Sequence, residues 1–199
     1  MNTHRIVLAT GNVGKVRELQ QLLADMDYEI VPQSEFNTPE AVEDGLGFVE
    51  NALIKARSAS RHTGLPAIAD DSGIAVDALD GAPGIYSARY AGKGATDEQN
   101  LNRLLENMQA IDEPDRTARF ICLMVYVRHA EDPTPLICQG SWEGRLLRSP
   151  QGENGFGYDP IFYVPEKDCT SAQLSSDEKN AMSHRGKAIR CLVDQLHKL

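Results

Sequence analysis

The opening of the chain constrains the fold most. Ile6-Val7-Leu8-Ala9 is a short apolar run that breaks at Thr10-Gly11-Asn12, and Val16, Leu19, Leu22, Leu23 and Met26 then recur at helical spacing. Tyr28 to Val31 offers a second strand directly afterwards. Two strands joined through one helix predict a parallel βαβ unit, which requires a sheet with helices packed on it.

The rest of the chain keeps that alternation. Phe48, Ala52, Leu53, Ala56 and Ala59 hold helical spacing until Gly64-Leu65-Pro66 stops the pattern, and Ala67-Ile68-Ala69 reads as a short strand with Asp70 and Asp71 at its carboxyl end. Thr96 to Gln99 reads as a capping box that opens a helix with Leu101, Leu104, Leu105 and Met108 on one face, closed by residues 112 to 116. Phe120 to Val127 is the longest strand candidate, and Leu136 to Trp142 is its hairpin partner across Glu131 to Pro135. After a glycine-rich loop, Gly152 to Gly157, a second capping box spans Ser175 to Glu178, and Ile189, Leu192, Val193 and Leu196 give the last helix a buried stripe. With 199 residues and no internal repeat, residues 1–199 are read as one domain.

Charge narrows the partners. Twenty basic against 29 acidic residues give a net charge of −9, so the surface as a whole repels nucleic-acid backbone and anionic membrane. A polyanionic substrate therefore needs a local basic pocket. No leader-like segment opens the chain and no apolar run is long enough to span a membrane, so a cytoplasmic location is expected. Cys122, Cys138, Cys169 and Cys191 are widely spaced, without a zinc-ligand pattern, and read as reduced, largely buried thiols.

Several segments can carry chemistry. Thr10, Gly11, Asn12, Val13, Gly14 and Lys15 join a strand to a helix, where main-chain N–H groups and a lysine can hold phosphate oxygens. Two residues rather than four separate the glycines, and Val16 stands where a Walker A loop needs Ser or Thr, so this is no P-loop. Asp70 and Asp71 suit a metal-assisted phosphoryl site, with help from Glu43 or Glu50, but are also the residues that begin a turn. Asn51 and Lys55 share a helix face, a pattern a solvated face would also show. Phe156, Gly157, Tyr158 and Asp159 supply rings and a carboxylate that can stack on a base and accept its ring N–H, or simply cap the core. Ser183 can cap the last helix and present His184 and Arg185, both able to donate to a purine 6-oxo group.

Together, TGNVGK at 10–15, FVENALIKA at 48–56, ADDSG at 69–73, GAPGIYSARYAG at 81–92, GFGYDP at 155–160 and SHRGKA at 183–188 resemble the inosine triphosphate pyrophosphatase family, and its bacterial branch in particular. The resemblance implies a mixed α/β fold: a long, twisted central sheet with helices in two lobes flanking a substrate cleft, usually in a homodimer. It implies a magnesium-dependent hydrolase that converts nonstandard purine triphosphates (ITP, dITP, XTP) to the monophosphate and pyrophosphate. The loop from Thr10 to Lys15 would hold the triphosphate, and Asp71 would be the metal-linked general base, with Ser72 on the substrate and Asp70, Glu43 and Lys55 in support. Phe156 to Asp159, Lys179, His184 and Arg185 would recognise the nucleotide. Gly47 departs from the Thr or Ser the family pattern leads one to expect, which leaves Glu40 and Glu43 both open as the auxiliary metal ligand. Arg89 and Tyr90 fit a site or an interface equally.

Overall fold

The computed structural model describes residues 4–10, 13–23 and 25–199, with the side chains of residues 13, 14 and 18 left aside. Seven strands are hydrogen-bonded in the order β2-β1-β3-β4-β5-β6-β7: β1 His4–Leu8, β2 Tyr28–Pro32, β3 Ala67–Val76, β4 Thr117–Val127, β5 Leu136–Leu146, β6 Phe162–Val164 and β7 Cys169–Thr170. Among the described residues five α-helices accompany them: α1 Val13–Leu22, α2 Phe48–Thr63, α3 Asp97–Asn107, α4 Ser176–Met182 and α5 His184–Leu196. The mixed α/β class is as the sequence predicts. No helix among the described residues is long and apolar enough to cross a membrane.

The residues fall into two compact units, residues 1–71, 123–139 and 188–199 in the first, and 72–122 and 140–187 in the second. In the first unit β1 pairs in parallel with both β2 and β3, which realises the βαβ opening. Ile6, Val7 and Leu8 are all but inaccessible, as are Ala52, Ala56 and Ala59, whose small side chains let α2 lie close to β1. Leu19 in α1 and Leu23 just past its end are buried, but Leu22 is exposed and Met26 lies further beyond the helix. Gly64, in the left-handed region at φ 70°, ends α2 by donating its N–H to the Ser60 carbonyl.

In the second unit β5-β6-β7 is antiparallel. Its core gathers Ile74, Val76, Leu104, Met108, Phe120, Trp142, Tyr158 and Phe162. Phe120 packs against Phe162 with ring centroids 4.5 Å apart. Arg116 is buried, and its guanidinium donates to the carbonyls of Met108, Ile111, Leu146 and Leu147, tying the end of α3 to that of β5. Both predicted capping boxes form, Thr96 with Gln99 and Ser175 with Glu178.

One element corrects the sequence reading in a way that matters for the site. The strand expected to stop at Ala69 runs on to Val76, so Asp70 and Asp71 sit inside it rather than at its end. The buried run Ile74-Ala75-Val76 sustains the strand beyond Ser72-Gly73, which had the look of a turn.

Candidate active site

Neighbouring residues of a strand start from opposite faces, and Asp70 and Asp71 take different lysines as partners. Lys15, in the first turn of α1, places Nζ 2.7 Å from Asp70 Oδ2, and Lys55, in the middle of α2, donates to Asp71 Oδ1 at 2.8 Å. Lys55 Nζ is also 3.3 Å from Glu43 Oε2. Three carboxylates against two ammonium groups leave these five side chains with one negative charge in excess.

Glu43 owes its place to the start of α2. Asn51 Oδ1 accepts from Gly45 N at 2.9 Å, Glu50 Oε2 accepts from Leu46 N at 2.6 Å, and Asn51 N donates to the Gly47 carbonyl. Gly45 is required by space as well, since a Cβ there would stand 2.6 Å from that of Glu50. Glu50 is thus engaged in holding the loop. Glu40 and Glu43 both line a cavity of about 280 Å³ together with Thr10, Lys15, Lys55 and Asp70, but the contact with Lys55 belongs to Glu43.

Asp71 stands out electrostatically. Burial raises its pKa above the ordinary carboxylate value, the hydrogen bond and charge of Lys55 pull the other way, and Glu43 and Asp70 add to the rise. Burial acts against the charge on Lys55, yet Asp71, Glu43 and Asp70 outweigh it and raise its pKa. Asp71 Oδ2 is buried without a hydrogen-bond partner among the described residues. An ionised oxygen in that condition is costly unless a cation or a proton donor meets it. Among the described residues no three His, Cys, Asp or Glu side chains form a ready metal cluster. Magnesium does not need one, because it takes one or two carboxylates and completes its shell with water and phosphate oxygens. The donor set therefore fits such an ion, with Asp71, Asp70 and Glu43 as its candidate ligands.

Of the phosphate-loop candidates, Thr10 and Lys15 line the cavity, Gly11 and Asn12 lie outside the described residues, and Val13 and Gly14 are placed only as the backbone of the first turn of α1. Ser72, peptide-bonded to Asp71, is exposed and belongs to the second unit.

That unit carries the second group. Gly155 and Gly157 adopt φ of 78° and 61°, which lets the chain turn sharply around Phe156. Asp159 is 2% exposed, and both its oxygens are engaged: Oδ2 by Phe156 N at 2.8 Å and by Lys179 Nζ, Oδ1 by Ser171 Oγ at 2.8 Å. A Cβ at Gly155 would collide with that carboxylate. Tyr158 is buried as well, its hydroxyl donating to the Ser87 carbonyl, and burial, with the charges of Tyr90 and Asp97, keeps the phenol protonated. Asp159 and Tyr158 are thus held in the framework of the loop, while the Phe156 ring, 74% exposed, is what the loop presents. Lys179 Nζ lies 4.9 Å from the centroid of that ring. His184 opens α5 and stacks on Phe120 at 4.8 Å and 13°, and Arg185 follows it, half-buried.

Ser171 and the long-range role of Asp97 escaped the sequence reading, and Asn51, noted there for sharing a helix face with Lys55, serves instead to hold the loop before α2. Asp97 Oδ2 accepts from Gly157 N at 2.8 Å across 60 residues, and nothing local to either residue signals the link. Arg89 lies over the Tyr86 ring, and the Tyr90 hydroxyl accepts from Asn107 Nδ2, so both are engaged within the unit.

Comparison with known proteins gives one answer. The Ham1 family profile matches residues 6–195. A dITP/XTP pyrophosphatase of Vibrio parahaemolyticus is 60% identical over 192 residues, 96% of each chain, and that of Escherichia coli K12 is 59% identical over 96% of this chain and 98% of its own. The solved structure of a HAM1 protein from Coxiella burnetii superposes with a TM-score of 0.96 at 51% identity, covering 98% of this chain and all of that one. The Ham1 protein of Staphylococcus aureus gives 0.90 at 40% identity, over 98% of both chains.

Proposed function

Since the chain belongs to the Ham1 family, we propose that it hydrolyses nonstandard purine nucleoside triphosphates, ITP, dITP and XTP, to the monophosphate and pyrophosphate, keeping damaged purines out of DNA and RNA precursors. The observation that carries this reading is the half-buried Asp71, with one oxygen fixed by Lys55 and the other buried without a partner among the described residues. A structural carboxylate has no use for such an arrangement; a general base does.

In this mechanism Lys55 orients Asp71 and keeps it ionised, and Asp71 Oδ2 takes a proton from the water whose oxygen attacks the α-phosphorus. The new P–O bond forms as the bridge between the α- and β-phosphates breaks, and Lys15 meets the charge that develops on the departing pyrophosphate. Asp71, Asp70 and Glu43 would hold magnesium, which when bound neutralises phosphate charge and acidifies water. Thr10 and the loop it begins would cradle the phosphates, with Ser72 on the substrate.

The second group reads the base. Phe156 offers a stacking face, and Lys179, His184 and Arg185 supply donors for the 6-oxo group of hypoxanthine or xanthine; adenine, with an amino group there, would set donor against donor. The proposal includes a cytoplasmic homodimer, in keeping with the family resemblance and with cysteines that lack a metal-site spacing.

The test is pyrophosphate release from matched dITP, XTP, dGTP and ATP, with magnesium and with EDTA. Magnesium-dependent release favouring dITP and XTP is expected. Equal rates on all four would overturn the base reading, and orthophosphate as sole product would overturn the bond assignment.

A further inference from the structure

In the first unit, β5 and α5 bring two thiols together. Cys138 and Cys191 stand 53 residues apart in sequence, yet their Sγ atoms are 2.7 Å apart, against about 2.05 Å for a formed disulfide. Both are free thiols in the structure. Cys138 is buried in β5, and Cys191 is partly exposed on α5. Gln195, one turn further along α5, directs its amide Nε2 at both sulfurs, at 3.2 Å to Cys138 and 3.5 Å to Cys191. The shared amide fixes where the two sulfurs sit, and a thiolate is the form that attacks a disulfide. From the paired sulfurs, their unequal exposure and the shared amide donor, we infer that Cys138 and Cys191 form a reversible intramolecular disulfide, entered at Cys191, when the chain meets a small-molecule disulfide oxidant.

The chemistry balances. Cys191 Sγ, as thiolate, attacks one sulfur of the oxidant, whose S–S bond breaks and releases one thiolate. Cys138 then loses its proton to that leaving thiolate, and its sulfur attacks Cys191 Sγ, expelling the second thiolate. Two cysteine thiols are oxidised by two electrons, and one external disulfide is reduced to two thiols. Cys138 suits the second, resolving step because burial, the Cys191 thiol and Asp194 push its pKa up to about 12, so it does not react with bulk oxidant directly. In a reducing compartment the bond would be transient, a mark of oxidising excursions.

The whole chain incubated with oxidised glutathione should lose two hydrogens in intact mass, and its alkylatable thiols after denaturation should fall from four to two. Peptide mapping should join the Cys138 and Cys191 peptides, and dithiothreitol should reverse both changes. The oxidised form should unfold several degrees higher than the reduced one, because the bond closes a long loop, and Cys191→Ser should abolish that shift. A protein with Cys122→Ser and Cys169→Ser should oxidise as the unmodified chain does, which keeps the test sound if Cys191→Ser folds poorly. A persistent glutathione adduct on Cys191 with Cys138 still alkylatable, a bond between chains, or four free thiols after oxidation would each overturn the inference.

Discussion

Two aspartates of the first unit are buried or nearly so, and they are treated oppositely. Asp132, in the β4–β5 connection, is 1% exposed on its side chain, and every lone pair it offers is used. Oδ2 accepts from Arg128 N and Nε, both at 2.9 Å, and Oδ1 accepts from Arg128 Nη2 at 2.6 Å and Thr134 N at 3.0 Å. The Arg128 side-chain hydrogen bond, against the pull of burial and aided by the main-chain donors, holds its pKa far below the usual carboxylate range. Asp71 has one lysine, an oxygen without a partner among the described residues, and a raised pKa. Folding supplies Asp132 with all its partners, whereas the described residues leave one oxygen of Asp71 without one. A satisfied carboxylate secures a loop; an incomplete one is available for chemistry.

The largest expected effect tests the incomplete side. Asp71→Asn should lower kcat by about 10³-fold, the scale of losing a general base, while changing unfolding free energy by less than about 1 kcal/mol. Turnover within a few-fold of the original would break the contrast. Asp132→Ala should do the reverse, costing about 2 kcal/mol by stranding the N–H groups of Arg128 and Thr134, with kcat unchanged; denaturant unfolding and steady-state kinetics on one preparation decide it.

A smaller effect follows from the sign of the Asp132 shift. Its folded pKa is depressed, so its contribution to stability is complete above the unfolded value of about 3.9 and is lost as pH falls from there through the folded pKa. Between about pH 4 and 2 the original chain should therefore lose stability more steeply than Asp132→Asn. Parallel curves would show that the hydrogen bonds around Asp132 do not depend on its charge.

The same contrast explains what could be read from the sequence. Local signals came through: the βαβ opening, both capping boxes and the Gly64 stop all rest on residues a few positions apart. The extent of β3 was missed because Ser72-Gly73 has turn composition, and only the burial of Ile74 to Val76 overrides it. The ties of Asp97 to Gly157, Ser171 to Asp159 and Cys138 to Cys191 join separate elements, and no periodicity encodes such pairs. Asp132 itself looked like part of a polar hairpin loop, since a carboxylate's burial depends on donors that the fold brings to it.

The smallest effect probes the loop that carries Glu43. Gly47 is the N-cap of α2 in extended backbone, φ −143° and ψ 163°, and it gives the helix no side-chain cap. Glu50, three residues on, reaches back past the N-cap to Leu46 N, so it holds the loop without completing a capping box. A Cβ on Gly47 would meet nothing closer than Glu50 Oε2 at 3.7 Å, an ordinary contact. Gly47→Ser should therefore add the missing acceptor for the first-turn N–H groups and raise stability by a few tenths of a kcal/mol, about 1 °C in Tm. If Glu43 serves the centre only through its place beside Lys55, kcat should hold as Tm rises, because the hydroxyl faces the helix N-terminus rather than Glu43. A gain in Tm with a loss of kcat would mean that this loop must move for turnover, and the division between a satisfied framework and an incomplete centre would then have to be drawn inside the loop itself.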